Sequence, residues 1–143
     1  MKSTSLRLLQ IFLWCVCAFH VIVGIGLNFS PDFIKLMASW YGARVDLTPQ
    51  FLVIMHPLGA FMVILGFMAA VAAVDPLRYR PIVNGFAALF LIRALQRVVF
   101  KQQLQDAFAI GAGKNTVNMV FFFLLAASLF LLYRLAEKRS VAA

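Results

Sequence analysis

Charge is scarce in this chain, and negative charge is scarcest: 143 residues carry five Asp and Glu against thirteen Lys and Arg. The first, third and fourth apolar stretches hold no acidic residue at depth. Paired-carboxylate chemistry and a carboxylate proton relay therefore have no candidates there. Cysteine is limited to Cys15 and Cys17. Two positions apart on a helix, they point to nearly opposite faces and cannot bridge each other. Their spacing is not that of a zinc site. Phosphate-cradling loops are missing too, since the glycine pairs at 24–26 and 111–113 lack the surrounding pattern.

What remains is apolar. Hydrophobic residues make up 64% of the chain, charged residues 13%, and the mean hydropathy is +0.93. A water-soluble domain of this length needs far more polar surface, so that class is excluded. The net charge of +8 does not signal nucleic-acid binding, because the basic residues form no patch or stripe. Lys2, Arg7, Arg78, Arg80, Arg134, Lys138 and Arg139 sit at the ends of apolar runs, where they act as membrane anchors and topology signals.

Four apolar segments are long enough to span roughly 30 Å of hydrocarbon at about 1.5 Å per residue. The first runs over 6–27; it is too long for a signal-peptide core and has no small-residue cleavage site, so it is expected to be retained. The second covers 49–74, opening on the N-cap signal Thr48-Pro49 and closing at Asp75-Pro76. Pro57 inside it should kink the helix near 53–56. The third begins near Pro81 or Ile82, leaves the hydrocarbon near Phe100 and extends toward Ile110, where Gly111 and Gly113 break it. The fourth covers 116–135. Between the first two, Phe33, Ile34, Leu36, Met37, Trp40 and Tyr41 suggest a short helix on the membrane surface. The expected fold is all-α: a polytopic membrane protein, residues 1–143 forming a single membrane domain, a four-transmembrane-helix bundle with a short interfacial helix in its first outer loop.

Seven Lys and Arg fall on the side holding both termini and the 75–81 turn, whereas Lys35, Arg44, Lys101 and Lys114 fall on the other. The positive-inside rule then places both termini in the cytoplasm, in a bacterial cytoplasmic (inner) membrane.

Polar residues collect in the outer half. His20 lies about 12 Å from the outer end of the first helix and His56 about 10 Å from that of the second, counting along each helix from its end. Arg93 falls about 10 Å in by the same count, Arg97 lies one turn further out, and Asn118 enters the fourth helix from the same side. Ionisable residues in a membrane are costly unless they face a bundle interior, water or a partner. His20, His56, Arg93, Arg97 and Asn118 are thus the candidate lining of an outer-leaflet pocket. Two readings of the arginines stay open. They line that pocket, or, with Lys101 and Gln105 continuing a stripe spaced by four, they snorkel to the headgroups. The histidines also admit two readings: axial ligands of a b-type haem whose propionates pair with the arginines, or a histidine satisfying the carbonyl that Pro57 frees.

Arg7 leading the first helix, GIGLNFSP at its outer end, PLGAFMVILGFMAA in the second and the turn DPLRYRP together resemble the DoxX-like group of small four-helix bacterial membrane proteins. Some members are linked to quinone-coupled sulfur oxidation, so the resemblance implies a quinone or redox partner. His56-Pro57 stands where that group often carries an acidic residue.

Three functions from different classes follow as expectations. The first is an accessory or binding subunit with a pocket for a lipid-like or quinone-type ligand, working within a larger membrane complex or a homo-oligomer. The second is a haem b electron-transfer subunit with His20 and His56 as axial, metal-ligating residues. The third is a small membrane enzyme acting on a lipid-like substrate.

Overall fold

A computed structural model describes residues 4–141, with side chains as far as Lys138. Every element among the described residues is helical: α1 (Thr4–Phe29), α2 (Pro31–Tyr41), α3 (Pro49–Val74), α4 (Arg80–Val99), α5 (Lys101–Phe108) and α6 (Ala112–Val141). Four of these, α1, α3, α4 and α6, are long and apolar enough to cross a membrane, with mean hydropathies of 2.3, 2.3, 1.5 and 2.2 over their best windows. Large apolar side chains such as Ile22, Phe61, Phe67 and Leu131 point outward from them. Outward apolar faces on every long helix are the signature of a protein solvated by hydrocarbon.

Local sequence sets the helix boundaries. Ser30 caps α2, its hydroxyl accepting from the Phe33 N–H at 3.2 Å, with Pro31 in the first turn. Thr48 caps α3 in the same way, again followed by proline. Gly42 ends α2 in the left-handed region at φ 75°, its N–H turned back to the Ser39 carbonyl. The helix α3 continues through Pro57 without a break.

The boundaries differ from the sequence reading most at the third and fourth spans. The third span does not continue to Ile110: it stops at Val99, and Phe100, with ψ 22°, turns the chain into the separate helix α5. The Phe100 carbonyl still accepts from Leu104 at 2.9 Å, so the ladder resumes in a new direction. Ala109, at φ 54°, ends α5 with its N–H on the Gln105 carbonyl. Gly113 lies inside α6, which starts at Ala112 and reaches Val141, longer at both ends than 116–135.

Packing is uneven. The helices α1 and α3 touch along most of their length, α4 packs closely on α6, α1 meets α6 more sparsely, and α3 barely meets α4. Small residues explain the tight pair. A Cβ on Gly59 would collide with the Asn28 amide and the Gly24 carbonyl, and one on Gly66 with Val21. Close backbone approach of this kind replaces the hydrophobic driving force that lipid removes. Leu9, Leu13, Ala72, Phe86, Phe90 and Leu129 form the main core. A second cluster joins Val23, Leu27 and Met62 to Ile34 and Met37 of α2.

The ends are sealed by amide side chains. Helix C-termini leave carbonyls without intrahelical partners, and each costs several kcal/mol if unmet in hydrocarbon. Gln10 donates to the Ala73 and Val74 carbonyls that end α3, both at 3.1 Å. Asn115 donates to the Arg97 carbonyl near the end of α4 at 2.8 Å, and Asn118 to the Tyr41 carbonyl ending α2 at 3.0 Å.

Candidate functional site

The end of the molecule that carries α2 and α5 gathers the polar groups. Arg93 and Arg97, one turn apart on α4, are both half-buried. Tyr41, the last residue of α2, projects between α4 and α6 and stacks on Phe122 of α6, with ring centroids 6.2 Å apart and planes at 16°. Each ring carries one guanidinium: Arg93 lies 4.5 Å from the Phe122 centroid and Arg97 5.2 Å from that of Tyr41. Cation–π contacts of this kind are worth roughly 0.5–2 kcal/mol, the larger values where water is excluded. Arg93 also makes a long hydrogen bond, 3.4 Å, to the Tyr41 hydroxyl.

The charges themselves are left uncompensated. Among the described residues, the ion pairs are Asp32–Lys35, Arg80–Glu137 and Arg134–Glu137, none of which involves either arginine. The Arg97 Nη1 atom is buried and has no hydrogen-bond partner among the described residues. Two like charges one turn apart repel each other and favour an anion between them.

Of the spaces that open from this cluster, two lie toward α5 and α3. One, of about 470 Å³, lies under α5 and is walled by Arg93, Gln96, Arg97, Gln103 and Phe122. The other follows the gap where α3 and α4 fail to pack. Its upper part, about 400 Å³, runs from Arg93 and Tyr41 past Leu58 and Met62 to Leu65 and Leu89. Its lower part, about 470 Å³, continues from Leu65 and Leu89 to Met68 and Gly85. The result is an apolar groove between two helices with a cationic group at its head.

The candidate residues do not all come together. Arg93 and Arg97 do. Asn118 is buried beside them, but its amide is committed to the Tyr41 carbonyl, so it braces α2. His20 is 1% exposed, wedged against Phe86 and Phe90 of α4 at 5.8 and 6.4 Å. His56 lies on an exposed face of α3. The expectation that the histidines share a depth is corrected by the register of α1 on α3. Gly66 lies against Cys17 and Val21, the level of His20, while Gly59 lies against Gly24 and Asn28. His56 is therefore ten residues, roughly 15 Å, along α3 from the level of His20. Two axial ligands must sit at one level on opposite sides of an iron, so this pair does not fit a haem. No group of three His, Cys, Asp or Glu suited to a metal occurs among the described residues.

Tyr41, Phe122 and Asn115 belong to the site although they were not among the expected residues. Tyr41 carried a readable signal: Ile34, Met37 and Tyr41, spaced by three and four, form the inward stripe of α2. Asn115 had none, because its role depends on where α4 ends.

Comparison with known proteins identifies no relative: no family model, no curated protein and no solved structure matches the chain.

Proposed function

We propose that this protein is a small accessory or binding subunit of the bacterial cytoplasmic membrane that holds the anionic headgroup of a lipid-like amphiphile. In this reading the four long helices form a transmembrane bundle with both termini in the cytoplasm, and α2 lies at the outer interface. The excess of Lys and Arg on the terminal side supports that orientation. Membership in the DoxX-like group belongs to the same proposal.

One observation carries the ligand class: two half-buried guanidiniums with no acidic partner among the described residues, one of them, Arg93, at the head of an apolar groove between α3 and α4. Phosphate or carboxylate oxygens would accept from Arg97 Nη1 and Arg93 in the charge-assisted geometry that arginine favours. An acyl chain would follow Leu58, Met62, Leu65 and Leu89 along the groove. A quinone-type ligand fits the groove equally but offers no negative charge to the arginines, so the anionic amphiphile is preferred. The geometry gives no support to a haem-carrying subunit.

The test is competitive lipid binding in nanodiscs of phosphatidylcholine doped with phosphatidylglycerol, measured by native mass spectrometry. The parent should retain phosphatidylglycerol preferentially, and the Arg93→Gln/Arg97→Gln variant should lose about tenfold of that preference, equivalent to about 1.4 kcal/mol. Equal retention of the two lipids by the parent would dismiss the headgroup assignment.

A further inference from the structure

A further cavity, between α1 and α6, shares Arg93, Tyr41 and Phe122 with the arginine cluster but adds a histidine to its lining. It measures about 200 Å³, is partly open, and is walled largely by aromatic rings, Phe19 of α1, Phe90 of α4 and Phe121 and Phe122 of α6, with His20, Tyr41 and Arg93 also in its lining. An apolar cavity of about 150 Å³ accommodates benzene, so this one has room for a single substituted ring. Flat ligands are favoured by the edge and face contacts that its five phenylalanines, Phe12 included, provide.

His20 determines what the ring must carry. Its Nδ1 lies 2.8 Å from the Val16 carbonyl, an acceptor only, so Nδ1 holds the proton and Nε2 presents a lone pair. The Nε2 atom lies on the ring edge facing away from that backbone bond, is buried, and has no hydrogen-bond partner among the described residues. A buried acceptor left unmet is costly, on the order of 1–3 kcal/mol. Only a donor satisfies it; Phe86 and Phe90 offer none, and Arg93 and Tyr41, the donors in the cavity lining, bond to each other and not to Nε2. We infer that the α1–α6 cavity is a binding site for a phenol-class ligand, a single aromatic ring whose hydroxyl donates to His20 Nε2.

The chain has only two histidines, so His56→Gln on the exposed face of α3 leaves His20 as the sole imidazole. Full-length H56Q with ¹⁵N-labelled histidine, in a fixed detergent concentration, is titrated with 4-ethylphenol and separately with ethylbenzene. The Nε2 resonance should move saturably with 4-ethylphenol, at one equivalent per chain, while Nδ1 stays in its bonded position. Ethylbenzene should leave Nε2 in place. His20→Phe, which keeps the ring volume but loses the acceptor, should lower 4-ethylphenol affinity about tenfold. Arg97→Gln, outside this cavity, should leave the titration unchanged even as it weakens phosphatidylglycerol retention, which separates the two sites. An unmoved Nε2, or identical responses to the two probes, means that water alone serves His20 and overturns the assignment.

Discussion

The Asn115 side-chain amide donates to the Arg97 carbonyl at 2.8 Å, so the residue that opens the α2-end pocket is held from behind by a helix 18 positions on. Asn115 is 5% exposed. Removing it uncaps a carbonyl in the last turn of α4 and frees that turn, with Arg97, to shift. Asn115→Ala should cost about 1 kcal/mol, in line with single hydrogen bonds within membrane proteins. It should also weaken phosphatidylglycerol retention although Asn115 carries no charge. Unfolding in graded dodecyl sulfate, followed by tryptophan fluorescence, checks the first part; native mass spectrometry checks the second.

Glycine substitutions should divide by helix contact. At Gly59 a new methyl would meet the Asn28 side-chain amide and the Gly24 carbonyl, and the carbonyl cannot move without parting α1 from α3. Gly59→Ala should destabilise by roughly 1–3 kcal/mol, the cost of overpacking. Gly85, also within a long helix, has nothing within 4 Å of the corresponding position. Gly85→Ala should be neutral or stabilising by up to about 1 kcal/mol. The same detergent titration reads both, and equal losses would contradict the described register.

Glu137 gathers the other end of the molecule. It pairs with Arg80 at 3.4 Å and Arg134 at 3.5 Å, and accepts from the Tyr133 hydroxyl at 3.1 Å. These groups are partly exposed, which limits the ion pairs to a few tenths of a kcal/mol each. Glu137→Gln should therefore cost about 1 kcal/mol in low salt and less at high ionic strength. A loss independent of salt would show that the carboxylate acts by packing.

The visible spectrum offers a direct check on the histidines. Protein expressed with ample haem and reduced with dithionite should show no sharp bands that vanish in His20→Ala or His56→Ala. The roughly 15 Å offset along α3 between the two residues is the reason. Bands that depend on both histidines would mean that α1 and α3 pair in another register.

The spans were readable because their signals are local. Thr48-Pro49 and Asp75-Pro76 bracket 49–74, and the helix occupies those residues. Relative depth was not readable, because counting from helix ends assumes that the ends are level. Here Gly59 lies opposite Gly24 and Asn28, so about the first two turns of α3 project beyond the end of α1, and Phe51, Leu52 and Met55 pack on the cluster that joins α1 to Ile34 and Met37 of α2. The break at Phe100 was equally hidden. The sequence around it, VVFKQQLQ, contains neither glycine nor proline, and the turn is evident only where α5 folds back toward α6. Arg93 and Arg97 were identifiable as ionisable residues in an apolar run; their aromatic partners were not, since Tyr41 and Phe122 come from other helices.

The sparse seam between α3 and α4 also bears on how the molecule is made. Every contact that joins α1 to α3, from the Gln10 amide on Ala73 to the crossing at Gly24 and Gly59, lies within the first 74 residues. That pair is complete before the ribosome has produced α4, whose own close partner, α6, comes last. Synthesis therefore delivers two finished helix pairs in succession rather than four helices awaiting one another. The groove between α3 and α4 is the join between an early half and a late one.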